Sequence, residues 1–419
     1  MRPLSGDSQE KRMEEVLVGL DIGTTKTCAV IGAINENSQM EVVGAGVAAS
    51  KGLKNGVIVN IDNTAASVIK AIDEAELMAG YEATDVIVGI SGQHVKGQNS
   101  RGVVAVSSRT RTISTHDVKR VIEAAQAIVI PVDREILHVL SKEFSVDDQI
   151  GVKDPIGMSG VRLEAEVHIV TGASSNIQNM IKVVEKAGFQ YRDIVFNTLA
   201  AADAVLSRDE MELGVALLDI GGGTIDIIVY LEGGVAYSSV LSIGGIHVTN
   251  DISIGLRTPI ESAELIKKKY GCAVLSLVDP SEIVEVPSVG GRPPRKLLRQ
   301  ELTQIIEPRV AEMMEMVDRE LALSGKRDML AAGIVLVGGG SMLEGSIEAA
   351  ERVFNMPVRI GVPRDVAGLA DRVATPQFAC GAGLLKYGLK MSRVRTGKFV
   401  PQQTKGFFSR MKKWLEEYL

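Results

Sequence analysis

Short apolar, β-branched runs punctuate the first part of the chain, at Val16 to Leu20, Thr27 to Ile34, Met40 to Gly46 and Gly56 to Val59, and they predict strands. The 3.6-residue period of Asn63 to Ala79 predicts a helix. Alternation of the two kinds of element is α/β patterning. A further set follows, with strands expected at Val86 to Ile90, Gly102 to Val106, Ile136 to Phe144 and Arg162 to Val170, and a helix at His116 to Ala127. Residues 279 to 295 are rich in Pro, Gly and Val and read as loop and short strand. Leu297 to Ser324 carries a long helical period despite Pro308, whereas residues 391 to 404, MSRVRTGKFVPQQT, carry none and read as a flexible linker.

The strongest internal signal is a repeat. VLVGLDIGTTKTCAVI at 16 to 31 returns as VALLDIGGGTIDIIVY at 215 to 230: an apolar strand, Asp-Ile-Gly with hydroxyls or glycines, then a second β-branched strand. Two hairpins of one design imply two similar halves. A third glycine cluster, GIVLVGGGSMLEGS at 333 to 346, is a buried-type strand running into Gly338, Gly339 and Gly340, with helix expected over Glu344 to Phe354. Residues 84 to 168, between the two copies, form their own unit, read economically as an insertion that leaves and re-enters the first half.

Composition narrows the function classes. The 419 residues are 45% hydrophobic and 23% charged, an ordinary globular balance with material for two or three domains. A net charge of -6 and 4% aromatic residues argue against a nucleic-acid binder, which needs basic excess and stacking platforms. Cys28, Cys272 and Cys380 are odd in number and far apart, fitting neither a disulfide framework nor a zinc site. A reducing cytosol is the expected home. Residues 1 to 14 are polar and expected disordered; the apolar run behind them stops at Asp21, too short for a signal segment, and nothing approaches the roughly 20 apolar residues of a membrane span.

The hairpins make physical sense as a phosphate clamp. Gly23, Gly221, Gly222 and Gly223 let backbone N–H groups approach an anion, and Thr24, Thr25 and Thr224 add hydroxyls. Asp21 and Asp219, the candidate catalytic and metal-holding carboxylates, sit at the strand tips, placed to hold a hydrated Mg2+ against a triphosphate. Lys26 and Asp226 are secondary candidates at the same cleft. One copy alone could be a mere tight turn. Two copies and the third cluster favour the clamp.

These residues resemble a known superfamily. DIGTTKTCAVI is similar to the first phosphate motif of the actin, Hsp70 and sugar-kinase ATPases, DIGGGTIDIIVY to the second and GIVLVGGGSMLEG, with Ser341, to the adenosine motif. NTLAAADAVL at 197 to 206 and FACGAGLLKYG at 378 to 388 resemble the two connecting helices, and ESAELIKKKYG at 261 to 271 the helix beside the nucleoside, which implies Glu264 and Lys267 at ribose and base. Within the superfamily the insertion decides: residues 89 to 106 and 138 to 172 closely resemble the special subdomain of the FtsA family of bacterial cell-division proteins. The resemblance implies ATP and Mg2+ as ligands, actin-like filaments, and tethering of the tubulin-like FtsZ ring to the inner face of the cell membrane at the septum, with recruitment of later division proteins. The insertion is then expected in the longitudinal filament contact. Asn197 stands where actin and MreB carry Gln or Glu, which implies at most slow hydrolysis.

Residues 405 to 419, KGFFSRMKKWLEEYL, put Phe407, Phe408, Met411, Trp414, Leu415 and Tyr418 on one helical stripe, with Lys405, Arg410, Lys412 and Lys413 off it. A short basic amphipathic helix behind a linker reads as an anchor on anionic lipid, the alternative being a helix docked on the protein's own core. Arg292, Arg295, Lys296 and Arg299 form a basic run that is either a solvated face or, by resemblance, a seat for the FtsZ C-terminal peptide. His94, His116, His138, His168 and His247 share no metal-ligand spacing. GAGVAA at 44 to 49 matches a dinucleotide fingerprint, but Gly52 and Gly56 interrupt the helix it would open.

The expected architecture is an α/β, duplicated, actin-like (ribonuclease H-like) ATPase fold with an inserted subdomain and a C-terminal amphipathic helix. The first half takes 15–83, 169–212 and 366–390, and the insertion 84–168. The second half takes 213–255 and 330–365, with a small subdomain at 256–329. The linker 391–404 and helix 405–419 follow. The runner-up is a PilM-like pilus assembly protein, which shares the insertion but lacks the anchor helix; a sugar-type kinase would need a carboxylate base that no motif here nominates, and a chaperone would need a peptide-binding domain, for which none is expected after residue 390.

Overall fold

The computed structural model describes residues 16–34, 40–290 and 292–395. The repeat is realised as two sheets of one topology. In the first half, Val16–Ile22, Lys26–Ile34 and Met40–Ala49 form an antiparallel meander; Asp85–Ile90 joins Val16–Ile22 in parallel, and Gln190–Phe196 joins Asp85–Ile90 in parallel. In the second half, Val215–Ile220, Ile225–Leu231 and Gly234–Leu241 form the meander, and Ile334–Val337 and Val358–Ile360 extend it in parallel. The parallel strands are near-continuous apolar runs because both faces are covered.

The first-half helix Ile61–Ala79 starts where Asn60 Oδ1 accepts the Asn63 N–H at 2.9 Å and stops at Gly80, whose φ of 70° is the left-handed C-cap. Helices Asn197–Val205 and Ala379–Arg395 connect the halves and cross closely. A Cβ on Gly383 would lie 1.9 Å from the Ala200 carbonyl, so the crossing requires glycine. The last helix reaches Arg395, five residues into the segment read as a linker, because Met391 and Ser392 are still buried.

The insertion is a four-stranded antiparallel sheet (Lys96–Ala105, Arg162–Ala173, Arg134–Val146, Gln149–Val152) under the helix Thr115–Gln126, with its own core around Val121, Phe144 and Ile169. Though inserted in the first half, it also bonds to the second. Asn99 Nδ2 donates to the Ala236 carbonyl at 3.0 Å, and His168 Nε2 lies 2.8 Å from Ser238 Oγ. Burial lowers His168 to about 4, so it is neutral at ordinary pH. The expected loop at 279–295 carries the hairpin Ile283–Val286 with Arg295–Leu298, and Arg299–Leu323 is one helix with Pro308 inside it.

Candidate functional site

Each meander turns toward one cleft of about 680 Å3 between the halves. The turns close alike: Gly23 N–H donates to the Lys26 carbonyl at 2.9 Å, and Gly221 N–H to that of Thr224 at 2.9 Å. Asp21, Gly23, Thr24, Thr25, Lys26, Asp219, Gly221, Gly222, Thr224, Asp226, Glu264, Lys267 and Gly338 to Gly340 line the cleft. Gly223 and Ser341 do not. Gly223 is packed under Thr24, and the buried Ser341 hydroxyl donates back to the Gly338 carbonyl at 2.8 Å, tightening its own turn.

Three carboxyls meet on the floor. Burial raises Asp21, and the neighbouring Lys26 and the Asn197 amide, whose Nδ2 donates to Asp21 Oδ1 at 2.9 Å, pull it back. Asp219 is pushed up to about 8, by burial first and then by the charges of Asp226 and Asp21. Asp226, opposite Asp219 in the hairpin register, is pushed up to about 6 by burial, with the Ser91 and Thr224 hydroxyls opposing. Asp226 Oδ1 and Asn197 Oδ1 are buried without a hydrogen-bond partner. Three acids, Asp226 buried and Asp21 and Asp219 half-buried, with Lys26 as the nearby positive charge, fit a cation.

Among the described residues no three His, Cys, Asp or Glu side chains form a metal-ligand group. The donor set therefore suits a hard ion that keeps waters and takes phosphate oxygens, as Mg2+ does, rather than one caged by protein. Gly338, at φ 82°, must be glycine, since a Cβ there would lie 2.2 Å from Asp219 Oδ1. Lys26 Nζ donates to the Gln377 carbonyl at 2.5 Å and sits 5.3 Å from the Phe378 ring centroid, which ties the first hairpin to the root of the last helix.

The outer wall was less visible in the sequence. Val310, Met313 and Met314 of Arg299–Leu323, with Leu343, give the cleft an apolar flank suited to a flat heterocycle, yet their spacing is that of any core stripe. Ser91, which reaches Asp226 from the root of the insertion, carried no signal of its own. Glu264 and Lys267 stand at the cleft but pair with each other, Oε2 to Nζ 2.7 Å.

The basic run divides. Arg299 is 11% exposed, bonded to Glu282 at 2.9 Å, to Glu344 and to the Tyr270 carbonyl, so it is internal structure, while Arg295 donates to the Leu256 carbonyl. Arg292, Arg295 and Lys296 are exposed. All three cysteines are buried and free; burial pushes the Cys28 thiol up to about 12 and raises Cys272 and Cys380. The stripe from Phe407 to Tyr418 and most of the linker lie outside the described residues. Among the described residues no helix is long and apolar enough to cross a membrane.

The model of the family "Cell division protein FtsA" matches residues 216–383, and that of the "SHS2 domain inserted in FTSA" matches 92–171; the insertion expected at 84–168 starts too early, since Asp85–Ile90 is a strand of the first half's sheet. The "Cell division protein FtsA" of Pseudomonas aeruginosa is 50% identical over 376 residues, 90% of each chain. Among solved structures, the PilM-PilN type IV pilus biogenesis complex aligns with a TM-score of 0.64 at 15% identity, covering 89% of this chain and 98% of that one. MreB5 of Spiroplasma citri bound to ADP aligns with a TM-score of 0.53 at 14% identity, covering 92% and 99%. At those identities the two structures speak for an actin-like fold and no more.

Proposed function

This chain belongs to the FtsA family of cell division proteins, and from that premise we propose that it binds Mg-ATP between its halves, polymerises, and anchors the FtsZ ring to the inner face of the membrane. The observation that carries the nucleotide reading is the convergence of both Asp-Ile-Gly turns and the Gly338 turn on one cleft with three carboxyls on its floor. In this reading the Gly222 backbone N–H and the hydroxyls of Thr24, Thr25 and Thr224 face the phosphates, and Asp21 and Asp219 hold the waters of a Mg2+ that offsets phosphate charge. Hydrolysis is slow, because Asn197 gives its amide N–H to Asp21 and has no group that can take a proton. The ADP of MreB5, a protein with this fold, supports an adenine nucleotide.

The insertion offers a separate folding unit for longitudinal contacts and for later division proteins. Arg292, Arg295 and Lys296 offer the exposed charge for the FtsZ C-terminal peptide. The pilus alternative rests on shared fold at 15% identity and gives way to 50% identity with an FtsA.

Anchoring is assigned to residues 405–419. Burying their apolar stripe, at about 1.5 to 3 kcal/mol per side chain, exceeds two net positive charges worth roughly 1 kcal/mol each at an anionic surface. Liposome flotation of the full chain tests this. Trp414→Glu should leave the protein in the aqueous fraction, while about 0.5 M salt, with its short Debye length, should release only part of the parent. Full release by salt with Trp414→Glu still floating would sink the insertion mechanism.

A further inference from the structure

The insertion meets the second half through a ring of hydrogen bonds that begins and ends on one strand. His168 and Asn99 are cross-strand neighbours on Arg162–Ala173 and Lys96–Ala105, and they face Gly234–Leu241, the edge strand of the second half's sheet. Asn99 Nδ2 donates to the Ala236 carbonyl at 3.0 Å, so Asn99 Oδ1 is an acceptor and takes the His168 Nδ1–H at 2.5 Å. With Nδ1 protonated, Nε2 of the neutral ring keeps a lone pair, which accepts the Ser238 hydroxyl at 2.8 Å. The fit is close. A Cβ on Gly97 would lie 2.2 Å from Ser238 Oγ and 2.5 Å from His168 Nε2. Just before the gripped strand, the Glu232 carbonyl accepts from Lys153 Nζ of the insertion.

The insertion is also tied to the first half, at its neck. Arg134 Nη2 donates to the His94 carbonyl at 2.8 Å and to the Thr171 carbonyl at 2.9 Å, and Nε donates to Thr171 Oγ1 at 3.1 Å. His94 and Thr171 stand near the two points where the chain leaves the first half and returns to it. On the far side of the clasp the strand is anchored in turn. Tyr237 and Ser239, which alternate with Ala236 and Ser238, donate to Glu320 Oε1 at 2.6 and 2.7 Å. Glu320 belongs to Arg299–Leu323, the helix whose Met313 and Met314 flank the cleft. Asn99, His168 and Ser238 themselves do not line the cleft, so a ligand there would not compete for their bonds.

We propose that the insertion is a brace across the two halves: pinned to the first by Arg134 and clasped to the second by Asn99 and His168, it limits how far the cleft between them opens. Resting on the nucleotide reading above, the brace then slows nucleotide release. Asn99, His168 and Arg134 are positioning residues in this role.

Two variants of the full chain, in solution without lipid, test it. Gly97→Ala drives a methyl group into the clasp, and Asn99→Ala removes two of its bonds; thermal melting confirms that each is folded. Spin labels at the exposed positions Glu123 and Leu323 span the insertion and the second half, and labels at Glu123 and Leu77 span the insertion and the first half. Pulsed electron paramagnetic resonance should show a broader distance distribution for 123–323 in both variants and an unchanged one for 123–77. Release of the fluorescent nucleotide mant-ATP with Mg2+ should be about tenfold faster from Asn99→Ala than from the parent, the worth of one or two hydrogen bonds. A 123–323 distribution as narrow as the parent's in both variants overturns the clasp. Equal broadening of 123–77 overturns the pin at the neck, and unchanged release alongside a broadened 123–323 distribution overturns the link to the cleft. A parent that binds no mant-ATP overturns the nucleotide reading, while the distances still decide the brace.

Discussion

The two phosphate turns share a design and differ in how their aspartates are balanced. Asp21 has a side-chain donor, Asn197, and a nearby ammonium, Lys26. Asp219 has two more acids as its principal neighbours and is pushed up to about 8. The two turns share a backbone and differ in electrostatics, although Lys26 acts on both aspartates. Under the proposed function, the first turn is closer to balance by itself and a cation would be needed more by the second.

Three measurements bear on that asymmetry. The largest effect is expected from Asp219→Ala, which should weaken Mg-ATP by at least about tenfold and remove most of the difference between Mg-ATP and metal-free ATP. Asp21→Ala should cost less in the same calorimetric titration. If Asp21→Ala costs as much or more, the asymmetry is wrong.

A pH series on ligand-free protein gives the next effect. The folded-state pKa of Asp219 lies above its unfolded value, so its contribution to stability is present at low pH and is lost as pH rises through about 8. Asp219→Asn should therefore melt furthest above the parent at pH 8, with the gap narrowing as pH falls toward about 4, the unfolded value. Curves that stay parallel from pH 5 to pH 8 would show that Asp219 is not destabilised by ionisation. The smallest effect belongs to Asn197→Leu, which removes the one side-chain donor to Asp21 and should weaken Mg-ATP by about two- to fivefold. An effect as large as that of Asp219→Ala would place Asn197 on the ligand itself.

The sequence disclosed the halves and the floor of the cleft because both are written locally. Asp-Ile-Gly at the end of an apolar strand specifies a turn, a carboxylate and an approachable backbone within a few residues, and its recurrence reveals the pairing. The apolar flank escaped, since Met313 and Met314 are also core-periodic and only the fold decides which side of a helix meets a cavity. Ser91 escaped because its role depends on a contact with Asp226, 135 positions away in the chain. Lys267 lines the cleft, but its partners Gly245 and Thr249 lie on another helix, so its contacts are not legible from charge and local spacing. The basic run, read as one patch, divided because Arg299 found two acids that are distant in sequence.

The three cysteines, described above only as buried, carry a practical consequence. Thiol-directed reagents react with the thiolate, and burial holds Cys28, Cys272 and Cys380 in the protonated form. The natural chain is therefore already suited to site-selective maleimide labelling. A single cysteine introduced at the exposed Val129 or Val132, in the segment that joins the insertion's helix to its next strand, would carry a fluorophore without removal of the native thiols, in otherwise unaltered protein.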